Sequence, residues 1–437
     1  MKLIKRYVHH ISAAHKQRLI CSSQKTPSLK IITGWLLFCL AMPTHAAPVF
    51  TLNELTAAAL KNNPTILISR ARQDAALAGL TTARAYTNPE VEFGAGPTRY
   101  RDGSSEVKSN WNLALSQPLE FGSVREARKS LAESGILSAE VGGELSQTVL
   151  KNRVRSAFYQ VIQRQSFLEL VENDKKLLEQ ILDKVTLRVK VGESPRFELI
   201  KAETELLIVE RDYQSAKIRI EESKGMLRGL IGNSIPVQFE LRGVLPSNSQ
   251  LEPLDSLQAK IPNSPFIRQA QQLSKSAEAK LRLEQQLRNP GLTLKAGVNQ
   301  DPDLTSFRIG VAIPLPLWSR REGQIAEAAA GIMQAQSQLD NEDLTLQREL
   351  ESGYQRYLIA RQQLIAYESG LLARAESVLK VAESGYRYGE RGILEYLDAQ
   401  RTYRAVRKDH LAAIYDLIVS VIEIERLLGT ELLEEKL

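Results

Sequence analysis

Hydrophobic residues along this chain follow two rhythms that alternate twice. From about 123 to 190 and from about 330 to 388, apolar side chains return at helical, near-heptad intervals. Leu344, Leu350, Tyr354, Leu358, Leu364, Tyr367 and Leu371 are an example. No proline occurs between Pro118 and Pro195, or after Pro316, so nothing in the sequence breaks these stretches. About 68 residues of unbroken helix reach on the order of 100 Å at ~1.5 Å per residue. Ahead of each long stretch the rhythm changes to alternate positions, as in Val91, Phe93, Ala95 and then Leu113, Leu115. This predicts one hairpin over 90–98 and 108–118, turning at Arg101–Asp102–Gly103–Ser104–Ser105. A second is predicted over 290–299 and 306–315, turning at Gln300–Asp301–Pro302–Asp303.

The two halves repeat one another. Asn63–Pro64 returns as Ser264–Pro265, and Asn88–Pro89 as Asn289–Pro290. Pro118–Leu119, with Phe121, Ser123, Arg125 and Glu126, returns as Pro314–Leu315 with Leu317, Ser319, Arg321 and Glu322. Gly192–Glu193 returns as Gly389–Glu390, and Leu230–Ile231–Gly232 as Leu427–Leu428–Gly429. A period near 200 residues is far longer than a solenoid unit and implies a duplicated half. Each half predicts a helix after its first proline (64–87 and 265–288), ended by the Asn-Pro pair. The hairpin follows, then the long helix, a glycine turn, and a shorter helix over 195–229 or 392–428. Residues 232–263, with Pro236, Pro246, Pro253 and Pro262, read as a linker with a short strand near Val237–Leu241. The expected fold is mainly α with a small β part. Its divisions are 1–46, 47–231, 232–263 and 264–437.

Charge changes this picture only at the N-terminus. The formal net charge is +6, but residues 1–46 hold seven Lys/Arg and no Asp or Glu. Removing those seven from 57 leaves 50 basic residues against 51 acidic ones, so the folded part has no basic excess for nucleic acid. The basic start, the apolar run from Ile31 to Met42 and Pro43–Thr44–His45–Ala46 read as a secretory leader cleaved after Ala46. Cys39 could instead mark a lipid-anchored start, but Phe38 stands where such signals carry a small residue; an ordinary apolar-run Cys is the simpler reading. Cys21 and Cys39 are the only cysteines, so a mature chain would have none. Its one histidine would be His410, without thiolate partners for a transition metal, and Met226 and Met333 are isolated. No nucleophile–base spacing stands out, which points away from an enzyme and from any cofactor or resident metal.

Two hairpins give four strands, too few to close a barrel in lipid, where every backbone group needs a partner. They close only by oligomerising. Trp111 and Trp318 fall near opposite ends of the strand region, where interfacial aromatics would meet outer-membrane lipid; ordinary packing is the alternative. The order helix, hairpin, long helix, glycine turn, helix, given twice, resembles the TolC family of outer-membrane efflux ducts over nearly the whole mature chain. Asn88–Pro89–Glu90 and the segment from Pro314 to Gly323 resemble the CzcC-like branch of cobalt–zinc–cadmium exporters.

That resemblance implies a homotrimer with a twelve-stranded barrel and a periplasmic tunnel of coiled coils. It also implies two partners, a periplasmic adaptor and an inner-membrane RND pump. Alone, Glu395 and Asp398 read as a solvated helix face. The resemblance makes them two acidic rings at the tunnel mouth, able to favour cations. It makes Arg391 and Tyr386 a closed-state latch on Glu198, and the turns at Gly192 and Gly389 the adaptor-docking tips. The expected function is passive export of divalent heavy-metal cations. A duct for drugs or organic toxicants is the alternative, and a periplasmic coiled-coil scaffold a more distant one.

Overall fold

The computed structural model describes residues 48–99, 107–232, 234–246 and 250–433. The expected leader and the hairpin loop at 101–105 lie outside the described residues. The first strand, β1 (Val49–Phe50), leads into α1 (Leu52–Asn62), a helix that the periodicity did not reveal. Its signal was local. Thr51 caps the helix by accepting from the Glu54 amide, while the Glu54 carboxylate accepts from the Thr51 amide at 2.8 Å.

Helix α2 (Pro64–Arg84) stops three residues before the predicted end, because Ala85 is already extended. The carbonyls freed there accept from arginines of the next long helix: Arg84 from Arg125, and Ala83 from Arg128. Strands β2 (Glu90–Arg99) and β3 (Val107–Leu119) pair antiparallel and lead into α3, an unbroken helix from Gly122 to Lys190 of 69 residues. After a turn, α4 (Arg196–Leu230) runs back along it. In the linker, β4 (Glu240–Leu241) pairs parallel with β1, and α5 (Leu254–Gln258) is a single short helix.

The second copy has α6 (Pro265–Gln286), β5 (Leu292–Gln300), β6 (Thr305–Ala312), α7 (Glu322–Ala366), α8 (Leu372–Arg387) and α9 (Ile393–Leu428). The expected continuous helix is divided here. A π-helical turn, Tyr367–Leu371, separates α7 from α8, and Gly370 within it has φ 152°. Strand β6 also ends before the predicted 315, because Pro314 cannot donate to a ladder.

All four long strands form one sheet in the order β2-β3-β5-β6, every neighbour antiparallel. The register sorts the side chains cleanly. Phe93 lies opposite Leu113, which lies opposite Val298, which lies opposite Phe307. One step along, Val91, Leu115, Ala296 and Ile309 continue the same face. The other face carries Glu92, Asn112, Lys295, Asn299 and Arg308. The apolar face is bare: Phe93, Phe307 and Ile309 are 68%, 67% and 77% exposed. Among the described residues, the outer edges of β2 and β6 have no strand beside them. No described helix is long and apolar enough to cross a membrane.

The helices return to their starting points by one device used twice. Asn63 caps α2 by accepting from the Thr65 amide, and donates from the same side chain to the Leu230 carbonyl at the end of α4. Ser264 caps α6 through the Phe266 amide and donates to the Leu427 carbonyl at the end of α9. The glycine just beyond each end is left-handed, with φ 75° at Gly232 and 72° at Gly429. A Cβ there would press on the Asn62 carbonyl or on the Pro265 ring. The larger hydrophobic core lies around this junction, joining Leu55, Ile66, Phe158, Leu227, Phe239, Leu257, Leu350 and Ile418. Beside it, buried Glu425 pairs with Arg155 and accepts from the amides of Leu432 and Leu433.

Asn63→Ala should cost about 1–2 kcal/mol in urea unfolding, since it removes a cap and strands the Leu230 carbonyl. Ser264→Ala should cost a similar amount. A loss confined to one of the two sites would contradict an equivalent role in the two copies.

Candidate functional site

The far ends of the two coiled pairs come together in a second, smaller core. Val171, Leu178, Ile181 and Val185 of α3 and Ala202 and Val209 of α4 meet Ala382, Tyr386, Ile393, Tyr396 and Leu397 of α8 and α9. Both tips turn the same way. Gly192 and Gly389 have φ 81° and 78°, which a side chain rarely adopts. Glu193 donates its amide to the Arg188 carbonyl, and Glu390 to that of Gly385. A Cβ on either tip glycine would meet nothing within 4 Å, so backbone conformation rather than space requires glycine.

Ile393, Tyr396 and Leu397 face this core, which leaves Glu395 and Asp398 on the exposed side of α9, about one turn apart. With Arg391 they line a groove of about 450 Å³ between α8 and α9, together with Val378, Val381 and Thr402. Arg391 donates to Glu395 within this chain, both side chains being about half exposed. A pair that open is weak, about 0–1 kcal/mol. Tyr386 is buried and stacks on Tyr396, with centroids 5.8 Å apart, while the Arg188 guanidinium sits 4.9 Å from its ring centre. Burial raises the Tyr386 hydroxyl above the ordinary phenol value, partly offset by Arg188, with nearby Glu198 pushing the same way as burial. Tyr396 is pushed up to about 12, chiefly by burial, so it stays neutral at physiological pH. The structure thus brings Tyr386 near Glu198, and gives Arg391 a different in-chain partner, Glu395. Trp111 (40% exposed) lies on the apolar face of β3, opposite Ala95 and Gln300. Trp318 (95% exposed) lies between β6 and α7.

Some charged residues of this region were not legible in the sequence. Glu205 of α4, 2% exposed, is gripped by Arg401 and Arg404 of α9. Asp174 of α3, also buried, lies 3.6 Å from Arg407. The arginines stand at i, i+3 and i+6, a helical row, but their acidic partners fall among ordinary helix-surface acids. Among the described residues no group of three His, Cys, Asp or Glu side chains is placed to hold a metal.

The sequence profile of outer membrane efflux proteins matches residues 55–233 and 257–430. The chain belongs to the outer membrane efflux protein family. It is 25% identical to the cobalt-zinc-cadmium resistance protein CzcC of Cupriavidus metallidurans, over 89% of this chain and 92% of that one. It is 24% identical to the outer membrane protein TolC of Vibrio cholerae, over 89% and 93%. Among solved structures, CusC superposes with a TM-score of 0.76 at 18% identity, covering 87% of this chain and 92% of that one. VceC of Vibrio cholerae gives 0.72 at 18% identity, covering 86% and 96%. The chain is therefore an outer-membrane efflux channel and not an enzyme, and the fold is that of the TolC-type channels.

Asp174 gives this region a pH signature. Burial pushes its carboxyl from 3.8 up to about 6, against the opposing pull of Arg407 and then Arg404. A carboxyl that holds its proton more tightly when folded destabilises the folded chain once ionised, above about pH 6, and this cost fades as the pH falls toward about 4. Asp174→Asn should therefore stabilise by roughly 2–3 kcal/mol at pH 7.5, an advantage that shrinks to about 1 kcal/mol near pH 4.5 and disappears by about pH 3 in unfolding titrations. A pH-independent difference would contradict this.

Proposed function

We propose that three copies of this chain close a twelve-stranded barrel in the outer membrane and a helical tunnel beneath it. In this reading the channel passively carries divalent heavy-metal cations outward. The observation that carries the barrel is the sheet, with one bare apolar face, one polar face and two unpaired edges. Three such sheets joined edge to edge leave no edge open and set lipid outside, water inside. The cargo reading rests on the similarity to CzcC and on the exposed carboxylates of α9. Similarity to the toluene efflux pump protein TtgC of Pseudomonas putida, at 22% identity, favours organic toxicants as the second reading.

In the trimer, Glu395 and Asp398 would form two rings at the tunnel mouth. Rings of carboxylate in a narrow passage raise the local concentration of cations. Tyr386, Arg391 and Glu198 would hold the mouth closed, with Arg391 exchanging Glu395 for Glu198. A periplasmic adaptor would engage the tips at Gly192 and Gly389, and an RND pump would supply the energy, since a passive channel supplies none.

Deleting the gene should lower tolerance to zinc, cobalt or cadmium while leaving dye and detergent tolerance unchanged; the reverse pattern would favour organic cargo. In planar bilayers, Glu395→Gln with Asp398→Asn should reduce cation-over-anion permeability on the order of tenfold. Arg391→Gln with Glu198→Gln should raise the resting conductance, and an unchanged conductance would count against the latch.

A further inference from the structure

The apolar wall of the sheet does not end with β6. Beyond it Ile313, Leu315 and Leu317 are 55%, 70% and 65% exposed, followed by the almost wholly bare Trp318. Arg320 and Arg321 come next, immediately before α7. Arg321 has φ 59° and is the only left-handed residue other than glycine among the described residues. A side chain in that conformation is strained and persists only where its surroundings hold it. The hold here is an ion pair: Arg321 donates to the Glu284 carboxylate of α6, from Nε at 3.1 Å. The pair ties the segment from Trp318 to Arg321 to the end of α6. Arg288 stands one turn beyond Glu284, and its amide still donates to the Gln285 carbonyl, so the turn stays helical up to it. Arg288 and Arg320 are thereby brought to the same corner, at the foot of β6.

Two guanidinium groups are left over there. Glu284 is taken by Arg321, and neither Arg288 nor Arg320, both exposed, has an acidic partner among the described residues. Residues 282–291 and 313–322 carry four arginines against two glutamates, whereas the chain beyond residue 46 is balanced in charge. The duplication supplies an internal comparison. At the offsets that relate Asn88 to Asn289 and Pro118 to Pro314, Leu315 and Leu317 correspond to Leu119 and Phe121, so both copies share the apolar wall. Arg288 corresponds to Thr87, Arg320 to Val124 and Trp318 to Gly122. The first copy joins its hairpin to its helices without these three side chains. Joining sheet to helix therefore does not require them, and they call for another role.

We propose that Arg288, Arg320 and Trp318 form a headgroup site for an anionic phospholipid on the periplasmic side of the outer membrane, one site per chain. The acyl chains lie along Ile313, Leu315 and Leu317, the indole stands at the boundary between hydrocarbon and headgroup, and the two guanidinium groups take the phosphate. A free phosphate would use the arginines but none of the apolar wall beside them, so the combination favours the lipid. The inference rests on the barrel reading above, which sets the foot of β6 at the membrane surface.

Trp318 is its own reporter. With Trp35 and Trp111 replaced by phenylalanine it is the only tryptophan. The intact protein is placed in phosphatidylcholine vesicles holding a small share of lipid dibrominated near the headgroup, either phosphatidylglycerol or phosphatidylcholine. Brominated phosphatidylglycerol should quench Trp318 more strongly, and this preference should fall on the order of fivefold for each of Arg288→Gln and Arg320→Gln. Arg288→Lys with Arg320→Lys should keep most of it, which separates charge from a disturbed fold. Excess inorganic phosphate, set against sodium chloride of equal ionic strength, should leave the preference standing; its loss would assign the arginines to a free anion and overturn the lipid site. Equal quenching by the two lipids, or a preference that neither Gln variant moves, overturns the inference while leaving the barrel in place. Quenching by neither lipid takes Trp318 out of the membrane altogether and overturns the barrel reading at this level as well.

Discussion

A sheet with one bare apolar face and two unpaired edges is not a finished structure. In water the apolar face is a liability, and in hydrocarbon each open edge leaves backbone groups without partners, at a cost of several kcal/mol per group. Here Phe93, Leu113, Val298 and Phe307 line up across all four strands, and among the described residues the outer sides of β2 and β6 have no neighbouring strand. Both hairpins come from a duplication, and β3 pairs with β5 to join the two copies into one surface. Closure by further copies, as proposed, removes both edges and covers the apolar face with lipid.

Beneath the sheet, the long helices must leave and return without drifting. The chain solves this with small polar caps set within the larger hydrophobic core. Asn63 and Ser264 each bind a helix start and a helix end with one side chain, and Gly232 and Gly429 let the backbone come close enough for that to happen. Landmarks that repeat along the sequence, Asn-Pro or Ser-Pro and Leu-x-Gly, thus mark the two sides of one junction. Arg125 and Arg321 play related parts at the other end, where they meet the Arg84 carbonyl and Glu284. Repetition was conserved between the halves where geometry required it. The halves diverged at the mouth, where Glu205 and Gly370 have no equivalents.

Much of this was legible in the sequence because it is local and periodic. Alternating apolar residues marked the strands to within a few positions, and the absence of proline marked α3. The capping box at Thr51–Glu54 was readable too, though an eleven-residue helix gives too few turns to show clear periodicity. The π-turn at Tyr367–Leu371 was not readable, since Gly370 looks like any glycine tolerated in a helix until its φ is known. Nor was the burial of Glu205 and Asp174. A helical acid looks solvated in sequence, and only the packing of three helices shows that these two are not. At the candidate site, resemblance supplied roles that composition would not. Glu395 and Asp398 do lie on the exposed side of α9, as a solvated helix face also would.

In the proposed barrel one face of the sheet meets lipid and the other meets water. With Cys21 and Cys39, the only two cysteines, replaced by serine, single cysteines introduced into the strands are the sole thiols. In outer-membrane vesicles permeable to a small water-soluble maleimide, cysteines at 306, 308 and 310 should react, while those at 307, 309 and 311 should be protected. Equal reaction along the whole of β6 would contradict the account.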